Sequence, residues 1–367
     1  DMKFLFIVQG EGRGHLTQAL TLEDMLLRNG HEVVEILVGK SSSRSLPGFF
    51  NRNARAEIKR FMSPNFLPTP QNKRVKLGRS ILYNILKLPE YLHSMLFIKR
   101  RIEESGADVV INFYELLTGL TYTFTPPHVP YVCIGHQYLF LHSEFKFPEK
   151  RYTDLMLLRF FTRMTSVHCH SRLALSFYNL PDDEENHVTV VPPLLRKEVS
   201  YQQSKQEDFI LGYMVNAGFA ENVHAYHTRQ PQTQLHFFWD RHDVEDETQV
   251  DDTLTFHRID DVKFINMMSR CKAYASTAGF ESICEAMYLG KPVLMVPAHI
   301  EQDCNGYDAM RAGAGIVSDT FDMDALQAFA ETYQPNKEFV YWTRSCEYRL
   351  VSILENLQGS YLVPALS

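Results

Sequence analysis

Residues 3–8, Lys-Phe-Leu-Phe-Ile-Val, form an unbroken apolar run that ends in Gly10-Glu-Gly-Arg-Gly14, and this junction narrows the possible folds more than any other feature. A strand with one wet face alternates apolar and polar residues. A run without alternation belongs to a strand covered on both faces, as in a parallel sheet. The glycines let the chain turn sharply into a helical pattern, with Leu16, Ala19, Leu20, Leu26 and Leu27 along one side. Asn29-Gly30 is a helix stop, and residues 31–38 read as the next strand. The result is a βαβ unit, which implies a parallel sheet.

The pattern continues, with strands expected at 108–112, 130–134, 166–170 and 188–191. A polar stretch, 196–208, then interrupts the apolar rhythm and reads as a linker. A second series opens at 209–215 and runs through strands at 235–238, 254–258, 272–276 and 293–296. The acidic residues between 240 and 252 read as a solvated loop, and 338–357 as one amphipathic terminal helix. At 367 residues the chain exceeds the size at which single cores stop growing. The expected fold is therefore α/β, with two tandem doubly wound Rossmann-like domains facing a central cleft. Their expected bounds are 1–195 and 209–338, with 339–367 a terminal helix packing back on the first domain. Ligands of such sheets sit at the carboxyl ends of the strands.

Composition narrows the function. A net charge of −7 argues against nucleic acid as a partner. Six scattered cysteines form no C-x-x-C pair and read as reduced thiols, which points to the cytoplasm. No apolar run approaches the roughly 20 residues that span a bilayer. The first residues enter a strand directly and resemble no secretory signal.

Two segments carry the candidate chemistry. In the first, Gly10, Gly12 and Gly14 let backbone N–H groups approach an oxyanion, and the following helix adds its dipole. His15 takes the place of the last glycine of a dinucleotide fingerprint, and the second strand ends without an acid, so a nicotinamide or flavin site is disfavoured. Its imidazole can take a proton near neutral pH. The second segment is Ser276-Thr277-Ala-Gly279-Phe280-Glu281-Ser282-Ile-Cys-Glu285, followed by a strand and by Glu301, Gln302 and Asn305. A strand, a turn and a helix start are expected here, so the N–H groups of Gly279, Phe280, Glu281 and Ser282 suit a diphosphate. One turn on, the Glu285 carboxylate could accept bonds from two vicinal hydroxyls, as a ribose offers. Glu301 and Gln302 are further groups suited to hydroxyls.

At these residues the chain resembles the glycosyltransferases with two facing Rossmann-like domains (GT-B type), including the MurG family and the plant and animal UDP-glycosyltransferases. It is similar above all to MurG-like enzymes of bacteria and archaea, in which a Gly/Asp-His-Gln segment, here Gly135-His136-Gln137, follows the middle strand of the first domain. The resemblance implies a sugar transferred from a nucleotide-sugar donor, UDP-linked, to an acceptor hydroxyl, with inversion at the anomeric carbon. It implies that Glu285 binds the ribose and that residues 279–282 cap the phosphates. It further implies that Glu301 and Gln302 hold the sugar, that Asn216 lies near the phosphates, that the segment opening at His257 meets the base, and that His15 is the base catalyst. Two positions depart from the pattern. Thr277 stands where the plant enzymes have a phosphate-contacting histidine, and Asn112 where an aspartate pairs with the base, leaving Glu115 as the acid to replace it.

No cofactor or metal is expected. Asp322-Met-Asp324 has D-x-D spacing but reads as the cap of a helix over 325–332. His168-Cys-His170 reads as packing along a strand rather than as a metal site. Residues 73–101 hold eight basic residues against one acid, Glu90, interleaved with large apolar ones. Such a segment suits either a pair of core-facing helices or peripheral contact with an anionic membrane that presents a lipid-linked or cell-envelope acceptor. Two rival functions remain: a nucleotide-sugar epimerase on the same plan, and a non-catalytic nucleotide-sugar-binding protein.

Overall fold

The computed structural model describes residues 1–42, 45–65, 77–214, 217–277 and 279–361. The first half alternates strictly at its start: β1 (Lys3–Gln9), α1 (Arg13–Arg28), β2 (Glu32–Lys40), α2 (Gly48–Asn53) and β3 (Glu57–Met62). Two consecutive helices follow, α3 (Leu77–Leu86) and α4 (Leu88–Ser105). Then come β4 (Val109–Phe113), α5 (Leu116–Phe124), β5 (Tyr131–Gly135) and a 3₁₀ turn at His136–Leu141. The half closes with α6 (Tyr152–Met164), β6 (Arg172–Leu175) and β7 (Val188–Val191). All seven strands are parallel, in the order β3-β2-β1-β4-β5-β6-β7.

The chain crosses over through α7 (Lys197–Ser200) into β8 (Ile210–Met214), a 3₁₀ turn at Ala217–Phe219, α8 (Ala220–Arg229), β9 (Leu235–Trp239), β10 (Glu247–Gln249) and β11 (Leu254–Arg258). It continues with α9 (Asp261–Arg270), β12 (Ala273–Ser276), α10 (Phe280–Tyr288), β13 (Val293–Met295) and α11 (Ile300–Arg311). Last come β14 (Gly315–Val317), α12 (Met323–Thr332), α13 (Lys337–Arg344) and α14 (Cys346–Tyr361). The second sheet runs β10-β11-β9-β8-β12-β13-β14, with β10 as an antiparallel edge. Without that edge both sheets share one plan, in which connections leave the first strand in one direction and later return to its other side. The expected fold class is the observed one.

Strand alternation builds the layers. Phe4, Phe6, Val8 and Ile111 face α1 with its Leu16, Ala19, Leu22 and Leu26, while Leu5, Ile7 and Val110 face Ile98 and Ile102 of α4 and Leu117 of α5. Each such residue is completely or almost completely buried, and burial of a Leu, Ile or Phe contributes about 1.5–3 kcal/mol. The first of these clusters continues through Leu194, Val199, Phe209 and Phe280 into the second domain, so one apolar core ties the halves together. Local signals set many ends: Gly30 at φ +82 after α1, Gly106 at φ +73 after α4, and the side-chain caps Asp260, Asp322 and Asn336.

Four sequence expectations need correction. Residues 166–170 form a turn, not a strand: Thr165 and Ser166 donate to the last carbonyls of α6, and His168 takes φ +62. Hence His168 and His170 do not share a strand face, and the strand begins at Arg172. The acidic loop contains β10, an exposed three-residue edge. The terminal helix is two helices that meet at Ser345. The polar linker carries α7 and lies on the second domain, where Lys205 and Glu207 donate to the Ser269 and Arg270 carbonyls.

Candidate active site

In each sheet the order reverses beside the first strand, between β1 and β4 and between β8 and β12. A crevice opens at such a point because neighbouring connections depart to opposite faces. The loops at these two points face each other. From the first domain come Glu11–Gly14 after β1; from the second come Gly279 after β12 and His299 after β13. Together they border a cleft of about 750 Å³.

The turn after β1 is tight. Gly10 donates to the Gly39 carbonyl, and a Cβ at Gly10 would meet that oxygen at 2.7 Å. Gly12 caps α1 without a side-chain acceptor, and Gly279 does the same for α10. A Cβ on Gly279 would have nothing within 4 Å. Two helix starts therefore reach the cleft with first-turn N–H groups that no side chain caps, a ready place for anionic oxygens. They are close neighbours, because Gln18 of α1 donates to Glu281 of α10 over 2.8 Å. Burial pushes the Glu281 carboxyl up to about 8 despite that amide, so it is neutral at pH 7.

Glu285 also lines the cleft, paired with Arg196 of the crossover: Nε reaches Oε2 at 3.0 Å and Nη2 reaches Oε1 at 3.5 Å. Arg196 further donates to the Asp261 carbonyl. The remaining lone pairs of Glu285 are available to hydroxyls. Glu301 accepts from the Gln137 amide at 2.8 Å, and Gln302 accepts from the Ala298 amide at 2.7 Å, fixing the start of α11. Ser276, Thr277 and Asn305 are buried around the end of β12 and on α11. Asn216 lies outside the described residues, as do 73–76 of the basic segment.

His15 lies flat against Tyr114, with ring centroids 5.6 Å apart. Its Nε2 is 3.4 Å from the Gln137 amide nitrogen, which leaves Nδ1 to carry the ring proton. Burial lowers its pKa, against an upward pull from Glu301, so the imidazole is neutral and basic at physiological pH. Three residues considered for the site are placed elsewhere. Glu115 does not meet His15: it caps α5 through the Leu117 amide and bonds Ser63, and its Oε2 sits where any Cβ on Gly39 would stand. Burial pushes its pKa up to about 7. Asn112 is likewise structural, donating to the Glu115 and Thr165 carbonyls. His257 is buried against His236 and Phe238, and the cleft is reached instead by Ile259, Asp261 and Phe264 just beyond the strand. Asp322 caps α12, and Asp324 accepts from the Tyr226 hydroxyl at 2.7 Å.

Sequence reading passed over Arg13, Arg196 and Tyr213, all of which line the cleft. Arg13 stood in a variable slot of the glycine loop. Arg196 stood in a stretch read only as polar, 89 residues from the acid it pairs with.

The family model for glycosyl transferase family 1 matches residues 2–333. The chain belongs to that family. Solved structures with the same fold as this family 1 chain include CalG4, the calicheamicin glycosyltransferase, with a TM-score of 0.63 and 15% identity, covering all of both chains. The glycotransferase of kitacinnamycin gives 0.62 and 16%, over 97% of this chain and 98% of that one. Arabidopsis thaliana UGT89C1 complexed with UDP gives 0.58 and 15%, over 95% and 94%. A Caenorhabditis elegans chain assigned by name to the UDP-glucuronosyltransferases, ugt-48, is 39% identical over 62 residues. That stretch is 16% of this chain and 12% of the relative's length.

Proposed function

We propose that this family 1 chain transfers a sugar from a nucleotide-sugar donor, UDP-linked, to an acceptor hydroxyl, with inversion and without a metal ion. The observation that carries this reading is the convergence of two uncapped helix starts, α1 and α10, on one cleft beside the Glu285 carboxylate. Helix N–H groups hold the departing diphosphate and stabilise the charge that grows on it as the glycosidic bond breaks. Glu285, oriented by Arg196, accepts from the ribose hydroxyls, and Glu301 from the donor sugar. His15 Nε2 takes the proton of the acceptor hydroxyl, displacing the long contact from Gln137. The D-x-D pair is engaged in helix capping and in the Tyr226 bond and takes no part.

The acceptor is apolar or lipid-linked and is met at a membrane surface. The support is a row of exposed apolar side chains on the first domain: Leu82, Ile85 and Leu86 of α3, Leu92 and Leu96 of α4, and Met156, Leu157 and Phe160 of α6. Basic residues flank them, with five between 146 and 163 against two acids. Among the described residues no helix is long and apolar enough to cross a membrane, so such contact would be peripheral.

The test is incubation with UDP-sugars, alone and with long-chain alcohol or glycolipid acceptors, followed by chromatography of nucleotides and lipids. UDP release that requires an acceptor, with sugar in the lipid fraction, supports the reading. A second sugar nucleotide formed without acceptor would mark an epimerase, and binding without turnover a sensor.

A further inference from the structure

Resting on the glycosyl-transfer reading above, we propose that Arg13 binds the donor diphosphate, so that the first domain supplies a positive charge the donor-binding segment lacks. A nucleoside diphosphate brings two to three negative charges, whereas a helix start offers only about half a positive one. Around the start of α10 the side chains give no help: Thr277 is neutral, and Glu281 and Glu285 are acids. The other cations of the cleft are engaged. Arg196 is paired with Glu285, Arg28 with Asp24 and Glu347, Arg55 and Lys197 with Asp24, and exposed Arg344 is held on the Tyr288 hydroxyl.

Arg13 differs. Among the described residues no carboxylate lies within ion-pair distance of it, and its guanidinium carbon stands 4.6 Å over the Phe49 ring. Stacking uses the flat face of the guanidinium and leaves its N–H edges free, the geometry that grips phosphate through two parallel bonds. Its placement is set by the backbone. It opens α1 directly after Gly12, and a Cβ built on the adjacent Gly14 would stand 3.5 Å from Glu281 Cγ on the opposite helix start. Tyr213, near the end of β8 in the second domain, lines the same cleft. Arg13 thus lines the cleft that both sets of uncapped N–H groups reach, one residue from the contact between the two helix starts. Because the cation and α10 belong to different domains, a bound diphosphate draws the domains together, and donor binding itself shapes the acceptor side.

The test is calorimetry of UDP, UMP and uridine with the parent chain and with Arg13→Gln, Arg13→Lys and Phe49→Leu, at two ionic strengths. The expected result is a loss of about 10- to 100-fold in UDP affinity for Arg13→Gln. Uridine affinity should be little changed, and the salt dependence of UDP binding shallower. Arg13→Lys should retain part of the affinity, and Phe49→Leu should show a smaller loss of the same phosphate-dependent kind. A parent chain that binds none of the three ligands overturns the glycosyl-transfer reading itself. A parent that binds UDP, with Arg13→Gln binding it equally well, overturns the role of Arg13 alone. An equal loss for UDP and uridine, or a lowered melting temperature without ligand, assigns Arg13 to structure and also overturns it.

Discussion

Replacing Arg196 by alanine tests whether the crossover and the nucleotide site are one unit. The pair Arg196–Glu285 is close, 3.0 Å at its shorter contact, and shielded, with side-chain exposures of 16% and 7%. Arg196→Ala leaves a carboxylate in that enclosed place without its counter-charge, which costs about 3–5 kcal/mol. Glu285→Ala strands the guanidinium instead, at a smaller cost, because Arg196 keeps the Asp261 carbonyl. In the double variant no charge is stranded, so its loss should fall short of the two single losses combined by about 1.5–3 kcal/mol. Urea denaturation followed by fluorescence reads this directly, since Trp239 lies in the second sheet and Trp342 at the return crossing. Ligand titration separates structure from binding: Glu285→Ala should lose more UDP affinity than Arg196→Ala, which removes the orienting contact but leaves the accepting carboxylate. Single losses under about 1 kcal/mol, or strict additivity, would show the pair to be solvent-screened and refute the reasoning.

Three further outcomes are expected. His15→Ala should lower turnover about 10²–10⁴-fold with UDP affinity nearly unchanged, and Glu115→Gln should leave the pH–rate profile intact, as befits a helix cap; steady-state kinetics with calorimetry checks both. Glu281, with its pKa raised to about 8, ionises above that pH beside the diphosphate, so UDP affinity should fall between pH 7 and 9 and stay level in Glu281→Gln. The folded chain holds an extra proton on Glu281 between about 4.5 and 8, so this group's contribution to stability declines as pH rises through that window, and denaturation of the glutamine variant should lack the decline. Finally, the chain should sediment with anionic vesicles and not with neutral ones, and Leu92→Glu together with Phe160→Glu should abolish the difference; equal recovery from both would assign those helices to ordinary solvent contact.

What could be read in advance was local. The apolar run of β1, its glycine turn, the stop at Gly30 and the cap at Asp322 each lie within a few residues of their effect. Short edge strands were silent: β3, Glu-Ile-Lys-Arg-Phe-Met, carries three charges, and β14 has three residues. The false strand at 166–170 arose because Ser-Val-His-Cys-His offers the alternation of a strand, while the bonds of the Thr165 and Ser166 hydroxyls back to the Thr162 carbonyl at the end of α6 leave no mark in that pattern. The site was legible as motifs and not as partnerships. Gln18 finds Glu281 across 263 residues and Gln137 finds Glu301 across 164, so no window on the chain contains either pair. For the same reason Asn112 and Glu115 were read for their resemblance, whereas the backbone around them occupies both.

The chain passes between the domains twice, and the two passages touch. Outward it runs from Pro192 through α7. On the way back, Trp342 donates to the Ser176 carbonyl and Cys346 to that of Pro192, after which α14 lies against the first domain. Two adjacent covalent passages act like the paired pins of a door: they define a line about which one half can swing and resist sliding or twisting between the halves. Displacement in such a swing grows with distance from the line. Arg196, being part of one passage, lies close to that line, so a swing about it would move Arg196 little and leave its contact with Glu285 in place. On the function proposed above, the ribose seat would stay assembled through such a swing, while the span between Arg13 and α10 would change.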